Sequence, residues 1–261
     1  MRQVVITALV GLVACQRAPA PPPDPAVDRA VQYFVARDAK ADPISLLFLD
    51  YVRRKHALTA LDPIVDHLKN AKADPTHPDV QLMLHLRTYA RLADPSAAPS
   101  AQDVESANSP LDRMALEALY CDRDGPKDGL LERLRETAAA GKYYLTHAAL
   151  YTGWAVENGC LEAAPAKALQ AELAQKMSVL IAAEGGPTDL AIEAMAFLFY
   201  VGHRELVRPE WIQQVRAAQR KDGGWTHGPA SAPTNDHSSF LALWVLLDAT
   251  RPNTADRPWL R

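Results

Sequence analysis

The chain has 261 residues, with 28 Lys and Arg against 31 Asp and Glu, so its formal net charge is −3. Nucleic-acid-binding proteins carry a basic patch or stripe, so this balance gives no reason to expect a nucleic-acid partner. From Asp24 onward the chain is long enough for one domain with a hydrophobic core, or at most two small ones.

The N-terminus combines a charged start, a short apolar run and a cysteine. Residues 4–14 are apolar except for Thr7, and this run is too short to span a bilayer, which needs about 20 residues. Such a start, with a small residue before the cleavage point, is typical of a secretory signal. The sequence LVAC at 12–15 resembles the lipobox of bacterial lipoproteins, which implies a signal peptide over 1–14 and a lipid on Cys15. The alternative is an ordinary signal peptide with an unrelated cysteine.

Residues 15–25 have the composition of a tether. Five prolines lie between residues 16 and 25, which excludes a helix or sheet interior. Proline-rich segments are extended spacers of about 3.1 Å per residue, so we expect this one to hold the domain roughly 20–30 Å from the membrane. In lipoproteins, Asp after the lipidated cysteine is associated with inner-membrane retention. Gln16 stands there instead, which favours the outer membrane, facing the periplasm.

Two cysteines remain once Cys15 is assigned to the lipid. Cys121 and Cys160 each follow a helical stretch, and an even pair in an oxidising compartment is a candidate disulfide. Two buried free thiols are the alternative, because spacing in the sequence does not show proximity in space.

Recurring Asp-Pro pairs and the spacing of apolar residues indicate an all-α fold. Asp is a good N-cap and Pro suits the first helical position, so we expect most Asp-Pro pairs to open a helix. Apolar residues follow at a spacing near 3.6, as in residues 44–52, and strand-like alternation is nearly absent. The pairs are Asp24-Pro25, Asp42-Pro43, Asp62-Pro63, Asp74-Pro75 and Asp94-Pro95.

We assign residues 26–261 to this helical domain. The stretch 94–110 is rich in Ser, Ala and Pro, which predicts a surface loop. A domain boundary there and helix pairing across it are equally open.

Three apolar helices in the C-terminal half begin in similar ways. His147, Glu193 and His237 stand near their starts, at nearly equal intervals, and an amphipathic helix lies between each pair. A period of this length is typical of stacked helical hairpins. In a ring of such hairpins the apolar helices would be inner and the amphipathic ones outer.

One stretch resembles a known superfamily. QRKDGGW at 219–225, followed by DHSSFLAL at 236–243, is similar to a repeat of the terpene cyclase and protein prenyltransferase α/α toroids. EGGPTD at 184–189 is a degenerate second copy. The resemblance implies a partial or small α/α toroid, with the glycines in a tight turn and the aromatic packed between hairpins.

The catalytic motifs of that superfamily are not found in this chain. The D-x-D-D motif of squalene-type cyclases has no counterpart in this chain. Zinc prenyltransferases use an Asp, a Cys and a His, but Ser238 stands where their D-x-C pattern has a cysteine. A periplasmic location also argues against prenyl diphosphate chemistry.

His147, Glu193 and His237 are the candidate catalytic residues. Carboxylate and imidazole groups in a cleft serve as general acid and base or as metal ligands; helix capping and cavity lining are the alternatives. Neighbouring helix axes lie about 8–10 Å apart, so we expect His147 and His237 to meet only across the cavity. We therefore favour no cofactor, although zinc would suit these residue types.

The turn supplies the candidate ligand-binding residues Asp222, Trp225, His227 and Asp236. Each also has a structural alternative: Asp222 can stabilise the glycine turn, Trp225 can pack between helices, and Asp236 can cap the next helix.

These observations predict a lipid-anchored envelope protein, held at the membrane through Cys15, with a concave helical surface for an envelope protein, glycan or lipid. One alternative is an envelope enzyme that acts on polysaccharide or lipid in a toroid cavity. Another is a helical-repeat scaffold for envelope assembly.

Overall fold

The computed structural model describes residues 24–37, 41–70, 86–100, 104–105, 107, 109–124, 128–228 and 231–260. The predicted signal peptide, Cys15 and nearly all of the tether lie outside these residues. So does the pair Asp74-Pro75.

The fold is all-α, as predicted. The helices are α1 (Pro25–Arg37), α2 (Pro43–His56), α3 (Asp62–Asn70), α4 (Pro110–Asp124), α5 (Leu130–Ala139), α6 (Lys142–Glu157), α7 (Ala163–Glu184), α8 (Asp189–Tyr200), α9 (Pro209–Ala217) and α10 (Asp236–Thr250). Short 3₁₀ helices span Thr59–Leu61, Ala90–Leu92 and Arg204–Leu206, and strands β1 (Trp225–Thr226) and β2 (Thr234–Asn235) form an antiparallel pair. Within the described residues, no helix has the length and apolar character needed to cross a membrane.

Aspartate-proline pairs open the first helices. Asp42 accepts hydrogen bonds from the backbone N–H of Ile44 (3.3 Å) and Ser45 (2.9 Å), with Pro43 at the first helical position of α2. Asp24 and Pro25 begin α1 in the same way. The pair Asp94-Pro95 does not open a helix. Asp94 instead accepts the backbone N–H of Ser96 at 2.8 Å, so its side chain closes a turn rather than capping a helix.

Four largely buried helices, α2, α6, α8 and α10, run parallel. Asp236 at the start of α10 accepts the backbone N–H of Asp42 at 2.8 Å, and Asp248 near its end pairs with Lys55 at 2.9 Å. In the same manner α6 contacts α8 near both ends. Thr146 donates to Glu193 near their starts, and Tyr200 donates to Glu157 at 2.7 Å where they end. The helix starts therefore gather at one end of the domain.

The amphipathic helices form an outer layer. Helix α7 packs against both α6 and α8, and α9 and α1 pack against α10. Short loops join α6 to α7 and α7 to α8, which makes these neighbours antiparallel. Inner and outer helices thus alternate along the C-terminal half.

Aromatic side chains fill the space between the inner helices. Their rings contact one another from helix to helix, as in the stacked pair Phe48 and Phe240, 5.4 Å apart. The set is Phe48, Tyr51, Tyr89, Tyr151, Trp154, Phe197, Tyr200, Phe240, Trp244 and Trp259. The interior is therefore packed, not open along its length.

The C-terminal segment supplies one of these rings. Glu157 accepts the backbone N–H groups of Trp259 (3.0 Å) and Leu260 (2.8 Å), and Arg54 donates to the carbonyl of Trp259 at 2.7 Å. The Trp259 ring is fully buried against Tyr51, Trp154, Tyr200 and Trp244.

Cys121 and Cys160 form a disulfide, with their Cα atoms 6.0 Å apart. The bond ties α4 to the loop before α7. Contacts also cross the predicted loop at 94–110, where the Tyr89 and Tyr151 hydroxyls lie 3.2 Å apart and Arg91 pairs with Asp122 at 2.6 Å.

Candidate functional site

The starts of α6, α8 and α10 bring together three histidines and two carboxylates. His147 lies on α6, Asp189 and Glu193 lie on α8, and His237 lies in the first turn of α10. His227 comes from the turn between β1 and β2. We call these five residues the histidine–carboxylate cluster.

Side-chain caps fix where two of these helices begin. Thr188 accepts the backbone N–H of Ala191 at 3.2 Å to start α8, and Asn235 accepts that of Ser238 at 3.1 Å to start α10. Asp189 is thereby placed in the first turn of α8, where the partial positive charge of the helix end stabilises a carboxylate.

Glu193 is the buried centre of the cluster. It is 1% exposed, and its two oxygens face different histidines. Oε1 lies 3.3 Å from Nδ1 of His147 and also accepts the Thr146 hydroxyl, while Oε2 lies 3.4 Å from Nε2 of His237. One carboxylate therefore positions two imidazoles from neighbouring helices.

The hydrogen bonds of His147 assign its tautomer. Nδ1 lies 2.8 Å from the backbone carbonyl of Tyr143, one turn earlier in α6. A carbonyl only accepts, so Nδ1 carries the hydrogen. Whenever this ring is neutral, Nε2 holds the lone pair and is available as a base or a metal ligand.

Asp189 is the second buried carboxylate, 2% exposed. Its Oδ1 accepts the Ser238 hydroxyl and lies 3.0 Å from Nδ1 of His237. Its Oδ2 accepts the Tyr143 hydroxyl at 2.9 Å and lies 3.1 Å from Nδ1 of His227. Each oxygen thus has one hydroxyl donor and one imidazole.

Charge pairing shifts the pKa values in this cluster. Burial alone would raise the pKa of Glu193, but the charge of His147 and hydrogen bonds from His147 and His237 lower it to about 2. Asp189 has its pKa held well below the ordinary value, against burial, by the hydrogen bond and charge of His237. Burial would lower the pKa of His237, but its bonds to Asp189 and Glu193 raise it to about 10. Burial and Asp189 raise the pKa of Tyr143.

The imidazoles, not the carboxylates, face the solvent. The side chains of His147, His237 and His227 are 22%, 38% and 57% exposed, and the two acids lie beneath them. A ligand at this end of the domain therefore meets imidazole nitrogens first. Such a surface can exchange protons with a ligand or bind a cation.

The structure brings the three predicted catalytic residues into one network. We expected His147 and His237 to meet only across a cavity. Both instead reach Glu193, because α8 lies between α6 and α10 and the three helix starts are level. Their chemical role stays a prediction.

The candidate ligand-binding residues of the glycine turn have partners of their own. Asp222 accepts the backbone N–H of Gly224 at 3.2 Å and the Thr234 hydroxyl at 2.6 Å. Trp225 is 1% exposed, and its indole N–H donates to the carbonyl of Val215 at 2.8 Å. These contacts match the structural alternatives for both residues.

Asp236 lies apart from the cluster. It accepts the Tyr33 hydroxyl at 2.6 Å and pairs with Arg37 at 2.7 Å, so it joins α1 and the start of α2 to α10. The sequence suggested that Asp236 caps α10, but it does not. The preceding residue, Asn235, has the extended backbone and the side-chain bond that define the N-cap.

Sequence reasoning missed Asp189 as a site residue, together with the hydroxyl donors Tyr143, Thr146 and Ser238. One signal was available. Asp189 precedes Glu193 by four positions, which places both carboxylates on one face of a helix.

Comparison with protein-family models, curated proteins and solved structures finds no match to this chain.

Proposed function

We propose that this chain is a lipid-anchored protein of the cell envelope that binds a polar ligand at the histidine–carboxylate cluster. The observation that carries this proposal is the network around Glu193, a buried carboxylate that holds two partly exposed imidazoles at 3.3 and 3.4 Å. Carboxylates that orient imidazoles are typical of sites where the histidine acts on a ligand.

The proposed architecture is a small α/α toroid. Parallel inner helices backed by antiparallel outer ones support this interpretation, as does the glycine turn. Gly223 has φ +93°, and a Cβ on Gly224 would lie 2.7 Å from Oγ of Ser239, so both positions suit glycine as the resemblance implies. The cluster would then lie on one rim of the ring, and the aromatic interior would close the rim from below.

Ligand binding can be tested with ring signals of the histidines. We expect soluble muropeptides or deacylated lipopolysaccharide oligosaccharide to shift the NMR signals of His147, His227 and His237. The signal of His203, which pairs with exposed Glu205 outside the cluster, is the internal control. Equal shifts at all four histidines, or none, would contradict a binding role for the cluster.

Lipid anchoring needs a separate test. The Cys15→Ser variant should carry no lipid, and mass spectrometry of the wild-type N-terminus should find acyl chains on Cys15. An unmodified chain cleaved elsewhere would favour the ordinary signal peptide.

An enzymatic function is the second candidate. It is favoured by the different surroundings of two neighbouring imidazoles: Nδ1 of His147 donates to a backbone carbonyl, which leaves Nε2 open, whereas His237 lies between two carboxylates. Base and acid side by side are what proton-transfer catalysis of hydrolysis requires. Product formation from the same glycans, lost in Glu193→Gln, would support this candidate.

A further inference from the structure

Three groups of the cluster converge on one point. One nitrogen each from His227 and His237 and one oxygen of Asp189 all lie within 4.8 Å of one another. Nδ1 of His237 is 3.0 Å from Oδ1 of Asp189, and Nδ1 of His227 is 3.1 Å from Oδ2. The three side chains come from α8, the β1–β2 turn and α10.

These distances fit a shared cation. Zinc binds His nitrogen and Asp oxygen at about 2.0–2.2 Å. Two ligand atoms at that distance are separated by about 3.0 Å in octahedral and about 3.4 Å in tetrahedral coordination. Each imidazole nitrogen lies close to this range from one oxygen of Asp189, 3.0 Å from Oδ1 for His237 and 3.1 Å from Oδ2 for His227, so the fit involves both oxygens of the carboxylate.

The surroundings of the three groups supply a second, independent observation. Histidines that bind a metal through one nitrogen usually donate the other N–H to a carboxylate, and ligating carboxylates are themselves hydrogen-bonded. His237 has Nε2 at 3.4 Å from Oε2 of Glu193, on the ring side opposite Asp189. Asp189 accepts the hydroxyls of Tyr143 and Ser238. The outer shell of a metal site is therefore already built.

The charge of the site favours a cation as well. Asp189 and Glu193 are 2% and 1% exposed, and burying two carboxylates is costly unless positive charge compensates them. Within the described part of the chain, the ion pairs of both acids are with histidines only. A divalent ion bound through Nδ1 of His237 would release the proton held there and keep positive charge beside both acids.

We propose that Asp189, His227 and His237 bind one divalent transition-metal ion of the zinc class, with the remaining coordination position open to solvent. Two histidines, one carboxylate and an open position form the ligand set of metal sites that bind a water or a substrate. The proposal rests on the proposed function of the cluster as a binding site and names the ion through which a polar ligand is held. It differs from the Asp–Cys–His set of zinc prenyltransferases, since Asp189 and His227 lie outside that pattern.

Zinc binding is measured on the full chain, purified in detergent and stripped of metal with a chelator. We expect one Zn²⁺ per chain by equilibrium dialysis and elemental analysis. Co²⁺ should give visible absorption bands of a site with nitrogen and oxygen ligands. His227→Ala is the decisive variant, because this exposed turn residue is not part of the core, and it should weaken Zn²⁺ binding at least 100-fold.

Further variants separate ligands from supporting residues. His237→Ala and Asp189→Asn should lose binding like His227→Ala, whereas Glu193→Gln should weaken it about 10–100-fold, as removal of an outer-shell partner does. His203→Ala is the matched control and should bind Zn²⁺ like the wild type. Circular dichroism of each variant checks that it folds.

The outcomes distinguish the two proposals. Absence of stoichiometric Zn²⁺, or zinc that His227→Ala retains at wild-type affinity, would overturn the metal site while leaving glycan-induced shifts of the histidines intact. Zinc binding that depends on His227, in a protein that gives no response to the glycans, would uphold the metal site and remove the polar ligand of the proposed function.

Discussion

At the scale of single residues, Glu193 decides the electrostatics of the cluster. Its carboxylate is buried, faces His147 and His237, and stays ionised because both imidazoles lie against it. Against the effect of burial, hydrogen bonds to Asp189 and to Glu193 raise the pKa of His237 far above its ordinary value of 6.5. Removing the charge of Glu193 should therefore change the pKa of His237, on the neighbouring helix α10.

In the metal-free protein, Glu193→Gln should lower the pKa of His237 from about 10, because the neutral amide attracts the imidazolium less strongly while Asp189 remains. The measurement is an NMR titration of the His237 ring in both proteins. Glu205→Gln, which removes an exposed carboxylate beside His203, is the control. An unchanged titration of His237 would mean that Asp189 alone holds its charge.

The same shifts set the pH range over which the cluster stabilises the fold. His237, with a raised pKa, contributes fully below about pH 6.5, and its contribution is lost as the pH rises through about 10. Glu193, with a lowered pKa, contributes fully above about pH 4.5, and its contribution is lost as the pH falls through about 2. Both groups contribute fully between about pH 4.5 and 6.5. The difference in Tm between wild type and Glu193→Gln should be largest in this range and should shrink at lower and at higher pH.

At the scale of elements, the glycine turn is held by close packing on α1 and α10. A Cβ on Gly224 would meet the methyl group of Thr234 and lie 2.7 Å from Oγ of Ser239. Ser239 also accepts the backbone N–H of Trp225 at 2.9 Å, so it cannot move without breaking that bond. The turn and α10 therefore fit only with glycine at this position.

Gly224→Ala should destabilise the protein by about 1–3 kcal/mol, the usual cost of overpacking. Gly228→Ala, in the following β1–β2 turn, is the matched control, since its Cβ would lie 3.5 Å from Cβ of Ala232, an ordinary contact. Denaturant unfolding of both variants gives the comparison. Equal stability of the two would show that the turn can shift away from α10.

The disulfide acts on other elements: it ties α4 to the loop before α7 and encloses α5 and α6. Cys121 and Cys160 are 39 positions apart, and closing a loop of that length is worth about 4 kcal/mol in the chain-entropy model, with observed values of about 2–4. A reductant should lower the unfolding free energy of the wild type by that amount. The Cys121→Ser/Cys160→Ser double variant should be insensitive to it, and a wild type equally insensitive would mean that the bond is not formed.

Local patterns in the sequence were enough to predict most of the helices and part of the site. Asp42 caps a helix through contacts only two and three residues away, so its role was predictable. The even spacing of His147, Glu193 and His237 identified like positions on parallel helices. Asp94 misled because the same side chain suits a helix cap and a turn. Asp189 was missed because its importance comes from donors on α6, α10 and the β1–β2 turn.

At the scale of the whole molecule, the two ends of the parallel inner helices differ in chemistry. Their starts carry the histidine–carboxylate cluster, while Trp259 enters the aromatic interior beside Trp154, Tyr200 and Trp244. Nothing in the sequence marked this tryptophan, since residues 251–260 show no helical spacing. Its position depends on Glu157 and Arg54, which are distant in the chain.

Trp259→Ala should destabilise the domain by about 3–5 kcal/mol, as loss of a buried Trp or Phe ring does. The reason is that this ring contacts aromatic side chains of α2, α6, α8 and α10 together, so a cavity there loosens four helices at once. Trp259→Phe keeps an aromatic ring in the same space and should recover most of the loss in denaturant unfolding. If Trp259→Ala were within 1 kcal/mol of the wild type, the C-terminal segment would be an attachment to the core and not a part of it.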